Sequence, residues 1–149
     1  MSSPYRLHDS LGYQLSLAAR IQQRRLEDGL RKLGLPRTFW AILLAVGNEE
    51  LRQPSEIANY VGIDRTAVSR ALRNMEVAGL IARQDGNGDG RTRTVAVTET
   101  GYELLAQATP IARSNAAVMA ERLSPEERQD LKDLLKKLMT GEDLPPTHL

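Results

Sequence analysis

Residues 54–80, PSEIANYVGIDRTAVSRALRNMEVAGL, read as two short helices joined by a tight turn. Pro54 suits a first helical position, where its missing N–H has no intrahelical duty, and Glu56 favours the positive end of the same helix. Gly62 is placed to end the first helix in a left-handed conformation, Asp64 to cap the second with its carboxylate, and Gly79 to stop the second. A helix-turn-helix needs a small residue where its helices touch, a glycine in the turn, and an aliphatic residue on the second helix facing the core. Ala58, Gly62 and Val68 meet those demands. On the second helix Val68, Ala71, Leu72 and Met75 form one apolar stripe, which leaves Arg65, Thr66, Ser69, Arg70 and Arg73 on the outside. Arginine forks two hydrogen bonds to guanine, Ser and Thr bond bases or phosphates, and the Thr66 methyl can pack on thymine. An Arg-rich helix face is also an ordinary solvated surface, so its meaning depends on what lies beside it.

Directly after these helices the pattern changes to a hairpin. Ile81 and Ala82 lead into RQDGNGDGRTR (83–93), and the β-branched run at Thr94, Val95 and Val97 leads out of it, giving two short strands around a polar, Gly-rich turn. Within that turn Asp85, Asn87, Asp89 and Gly90 match the first, third, fifth and sixth places of a calcium loop. The twelfth place, which requires a bidentate Glu, is Ala96, and the seventh is Arg91. The flanks read as strands where a calcium loop has helices, so Asp, Asn and Gly are read here as turn formers and no metal is assigned. A winged helix-turn-helix sets such a hairpin beside its second helix, where Arg91 and Arg93 would form a basic tip for the minor groove.

Outward from this centre the chain is helical. Leu7, Leu11, Leu15, Ala18, Ala19, Gln22, Leu26 and Leu30 recur at three- and four-residue steps, predicting one long helix from Leu7 that Gly34 and Pro36 end. FWAILLAV (39–46) is apolar nearly all round and predicts a buried helix at the centre of the core, closed by Gly47 and Asn48. After the hairpin, Thr98 can cap a helix that Pro110 should kink. SPEE (124–127) carries a Ser cap, a Pro at the first position and a Glu at the third, and opens a last helix striped by Leu131, Leu134, Leu135 and Leu138. It should end near Gly141, with a frayed DLPPTHL tail.

The 149 residues include no cysteine, which excludes disulfides, zinc–thiolate sites and a cysteine nucleophile. His8 and His148 stand near the termini, too few and too far from acidic clusters for a histidine-built metal site or a hydrolase triad. No apolar run reaches eighteen residues and MSSPYRLHDS has no signal core, so the expected location is the cytoplasm, without a membrane partner. A net charge of +1 neither demands nor forbids nucleic acid, but Arg65, Arg70, Arg73, Arg83, Arg91 and Arg93 concentrate in the middle of the chain.

The sequence resembles the multiple antibiotic resistance regulator (MarR) family of winged-helix regulators. PSEIANYVGIDRTAVSRALRNMEVAGLIAR, DGR at Asp89 to Arg91, VTETG at 97–101 and LSPEE at 123–127 carry the resemblance, which covers nearly the whole chain. It implies a mainly α fold, with a helix-turn-helix and two-stranded wing at 35–100 and a helical dimerisation region at 1–34 and 101–149, together one intertwined domain. It also implies a homodimer whose first and last helices interlock over a pseudo-palindromic operator in double-stranded DNA, with Leu7, Leu11, Leu15, Leu131, Leu134 and Leu138 in the dimer core. Packing of those leucines within one subunit is the alternative. The family's wing pattern maps onto Asp89, which would fix the wing, and Arg91, which would enter the minor groove. Family members that sense oxidation or metals use cysteine or histidine clusters, so a small aromatic or phenolic effector, or none, is what the resemblance leaves. The expectation is a sequence-specific transcriptional regulator, a repressor more often than an activator, without cofactor. The rival is a winged-helix protein-interaction module that does not bind DNA; an enzyme, lacking any nucleophile–base pattern or phosphate loop, is the weakest class.

Overall fold

Helix α2 (Arg37–Gly47) holds the centre of the molecule, burying Ile42, Leu43, Ala45 and Val46. It packs against the other elements of a computed structural model that describes residues 1–85 and 93–143: α1 (Leu11–Arg31), α3 (Pro54–Val61), α4 (Arg65–Val77), β2 (Arg93–Val97) and α5 (Glu99–Ala120). Strand β1 (Ile81–Asp85) pairs antiparallel with β2, and α6 (Pro125–Met139) closes the order. This is the mainly α winged helix-turn-helix expected from the sequence. Leu30, Ile42, Leu43, Ile57, Leu72 and Met75 are fully buried in one continuous core, each contributing roughly 1.5–3 kcal/mol by leaving water.

Local chemistry sets each boundary of the helix-turn-helix. Pro54 opens α3, and the Gln53 N–H donates to Glu56 Oε2 (3.3 Å) across its first turn. Gly62 ends α3 at φ 79°, a left-handed conformation that only glycine enters freely. Asp64 caps α4, its Oδ1 accepting from the Ala67 N–H at 2.7 Å. Beyond the hairpin, Thr98 caps α5 by accepting from the Gly101 N–H (3.1 Å) while its own hydroxyl donates to the Gly79 carbonyl (2.6 Å). One residue thus starts α5 and ties it to the end of α4. Gly101 is needed there because a Cβ would run into the Leu80 carbonyl oxygen and Val97.

Helix α1 begins later than its stripe suggests. Leu7–Asp9 form a single 3-10 turn, and Ser10 breaks the run with extended backbone (ψ 138°), accepting from the Tyr13 N–H at 3.2 Å to cap α1 at Leu11. Leu7 fits the apolar spacing, but a Ser cap satisfies an orphan N–H that a continuous helix would not. Helix α5 stays helical through Pro110 to Ala120. The SPEE segment forms the reciprocal box read from it: Ser124 Oγ accepts from the Glu127 N–H (3.1 Å) and Glu127 Oε2 from the Ser124 N–H (2.8 Å). Gly141 has φ 79° just beyond α6; the six-residue end of the DLPPTHL tail and His148 within it lie outside the described residues. No helix among the described residues is long and apolar enough to cross a membrane.

Candidate nucleic-acid interface

Helix α4 is amphipathic by construction. Val68, Ala71, Leu72 and Met75 are buried against the core, and Arg65, Thr66, Ser69, Arg70 and Arg73 are all exposed on the opposite side. None of Arg65, Arg70 or Arg73 forms an ion pair with a described residue. Their guanidinium groups are exposed, with no ion-pair partner to displace among the described residues, which suits them to phosphates and base edges.

The hairpin stands directly after α4 and its strands run longer than the sequence suggests. Its pairing runs from Ile81 opposite Val97, through Arg83 opposite Val95, to Asp85 opposite Arg93. Those six residues share one face, because residues directly opposite in an antiparallel pair point the same way. At its base that face is apolar, with Ile81 and Val95 buried. Farther out it turns charged: Arg83 Nε lies 3.1 Å from Glu76 Oε2 on α4, and Arg93 Nε lies 3.4 Å from Asp85 Oδ1. Arg93, which the sequence sets with Arg91 in a basic tip, stands at the start of β2, opposite Asp85 in the outermost described pair of the hairpin. Asp85 correspondingly faces a cation and belongs to a strand. Asn87, Asp89, Gly90 and Arg91 lie outside the described residues.

Two features of this region are not visible in the sequence. The Val95 N–H donates to the Arg52 carbonyl (2.9 Å), and Arg52 Nη1 donates back to the Val95 carbonyl (3.4 Å), so the segment before α3 braces the outer edge of β2. A lone Arg in a polar loop gives no strand pattern by which to see this. By sequence Arg83 belongs with the turn residues, and its partner Glu76 is seven residues away on another element. Beside α3, the Tyr60 hydroxyl donates to Glu49 Oε1 (3.3 Å). Desolvation, and then the Glu49 carboxylate, raise the Tyr60 pKa above the usual tyrosine value.

Away from the hairpin, a second surface is apolar. Leu7, Leu11, Leu15, Leu131, Leu134 and Leu138 are each between 37% and 59% exposed in the single chain. Helix α6 buries no residue at all, and α1 buries none before Leu26. Between α1, α5 and α6 lies an apolar cleft of about 480 Å³ floored by Leu15, Ala18, Ala19, Met119, Leu131 and Leu135. A separate recess of about 500 Å³ between α1 and α5 carries Arg25, Lys32 and the buried Asn115. There Asn115 Nδ2 donates to the Gln22 carbonyl at 3.4 Å, while its Oδ1 and Arg25 Nη1 are buried without partners among the described residues.

Known proteins share this arrangement. The family model described as "MarR family" matches residues 33–92, which hold α2, the helix-turn-helix and β1 and stop just before β2. Transcriptional repressor MprA of Escherichia coli K12 is 28% identical over 145 residues, covering 91% of this chain and 82% of that protein. The structure of Bordetella bronchiseptica BpsR, determined in work on the regulation of its DNA binding by 6-hydroxynicotinic acid, superposes with a TM-score of 0.84 at 20% identity, covering 94% of this chain and 100% of that one. A mutant of E. coli MarR complexed with operator DNA superposes with a TM-score of 0.82 at 21% identity, covering 93% and 99%. The chain is thus similar to the MarR family in sequence over residues 33–92, and shares the fold of MarR-family regulators over nearly its whole length.

Proposed function

We propose that the chain is a cytoplasmic, homodimeric, sequence-specific DNA-binding transcriptional regulator, working as a repressor. The observation that carries this is the α4 surface: five exposed arginine and hydroxyl residues, with no ion pair to a described residue on its three arginines, directly beside a basic hairpin. On this reading Arg65, Thr66, Ser69, Arg70 and Arg73 enter the major groove and Arg93 supports the wing. Arg91, with Asp89 fixing it, comes to the minor groove from the family's wing pattern alone. Residues 1–34 and 101–149 make the dimer, and its symmetry sets two copies of 35–100 on half-sites about 34 Å apart. The exposed leucines of α1 and α6 support that division, since a helix with no buried residue needs a second surface to hold it. The similar repressor MprA supports the sign of regulation.

A small aromatic or phenolic acid is the proposed effector. The α1–α5 recess supports it, since Arg25 and Lys32 suit a carboxylate and the Asn115 Oδ1 acceptor suits a hydroxyl. An acid of this class that bound the protein without loosening its DNA complex would remove this half of the reading. The interaction-module alternative rests on the net charge of +1; the unpaired arginines of α4 count against it. Arg70 and Arg73 provide the test of base reading. Substituting each by Ala and measuring affinity across operator variants should relax discrimination at a defined base pair, worth about 1–3 kcal/mol there. A loss equal for all sequences would make the residue a phosphate contact.

A further inference from the structure

We infer that Arg83 is a phosphate-binding residue, held by Glu76 in a groove between α4 and the wing so that it clamps the DNA backbone strand passing between them. The inference rests on the DNA-binding reading. Arg73, Glu76 and Val77 stand at i, i+3 and i+4 on α4 and form one wall of a groove of about 490 Å³; Arg83 and Arg93 on the hairpin form the other. Arg83 and Arg93 are diagonal neighbours on the face of the hairpin turned to α4, since Arg83 is opposite Val95 and Arg93 is two residues before it. Three guanidinium groups thus converge on one groove, with the acids Glu76 and Asp85 set against two of them.

Arg83 differs from its two neighbours. Its side chain is only 23% exposed, it occupies a position of the inner hairpin face that is apolar one step lower, and Glu76 Oε2 stands 3.1 Å from its Nε as an ion pair without hydrogen-bond geometry. Its Nη groups find no partner among the described residues. A half-buried arginine with a carboxylate on its Nε side and its two Nη groups left over can turn that fork to two phosphate oxygens at once. A duplex that takes α4 in its major groove and the wing in the adjacent minor groove must carry the phosphate strand dividing those grooves across this gap. Arg83 is where that strand meets a positioned cation, whereas Arg93, 62% exposed beside a 74% exposed Asp85, is free to follow the wing.

The test is the salt dependence of binding by the full-length protein, on an operator duplex and on an unrelated one. Arg83→Gln should lower the slope of log affinity against log salt by about 0.9 for each subunit bound. It should also weaken binding by about tenfold in dilute salt, by the same factor on both duplexes. An unchanged slope in a variant that melts like the wild type overturns the inference. Arg83→Lys keeps the charge without the fork, and serves as well if Arg83→Gln does not fold: it should keep the slope and lose affinity. Duplexes with a single uncharged methylphosphonate then locate the contact. One phosphate should matter less to Arg83→Lys than to the wild type; equal losses at every position would also overturn the inference. A wild-type protein that bound no duplex would remove the regulator reading itself, a result distinct from binding with an unaltered slope.

Discussion

A few residues hold the interface in place through single hydrogen bonds or single close approaches. Asp64 is one: its carboxylate receives the Ala67 N–H at the start of α4, and no other side chain takes over that donor. Asp64→Ala should destabilise the fold by about 1 kcal/mol, read as a lower melting temperature; unchanged stability would show that water satisfies the helix end equally well. Gly101 is another. A methyl group there meets a backbone carbonyl, that of Leu80, which cannot rotate away as a side chain would. Gly101→Ala should therefore destabilise by about 1–3 kcal/mol or more, with the damage at the junction of hairpin and α5, and a variant as stable as the wild type would contradict the close packing. The VTETG stretch is legible in this light: Thr98 supplies the cap and the tie to Gly79, and Gly101 the room for the chain to pass Leu80.

At the level of elements, the sequence is most legible where capping and periodicity agree. Helices α3 and α4, with Pro54, Gly62, Asp64 and Gly79 as punctuation, and α6 with its Ser124–Glu127 box, lie where those residues put them. It is least legible where one element borrows from another. Leu7 keeps the period of α1 but loses to the Ser10 cap, a competition between two local signals that spacing alone does not decide. The brace from Arg52 to β2 and the link from Arg83 to Glu76 join residues on separate elements, and neither segment carries a pattern that announces a partner. The leucine stripes of α1 and α6 can be read as internal or intermolecular packing, and their exposure in the single chain supports the second. Leu134→Glu, at a residue 57% exposed, places a charge in that stripe without touching the core. Sedimentation should then show a monomer with helix content near that of the wild type; a variant that stayed dimeric would locate the interface elsewhere.

For the whole molecule, geometry and charge work together. A core centred on α2 fixes α4 and the hairpin relative to each other, a cationic face is left exposed, and so is an apolar face on α1 and α6. Two cationic faces related by a two-fold axis would recognise a pseudo-palindrome, and each phosphate neutralised would release counterions. The net charge of +1 does not weaken this, because the acids of α6 lie apart in sequence from the arginines of α4 and the hairpin. The most direct measurement is an electrophoretic shift of the purified protein on a duplex from its own upstream region, beside an unrelated duplex, at dilute and physiological salt. Binding that prefers the upstream duplex and falls steeply with salt is the predicted result. Binding that is indifferent to salt, or absent from every duplex recovered in a genome-wide selection, would contradict DNA recognition and leave the winged helix as a protein-interaction module.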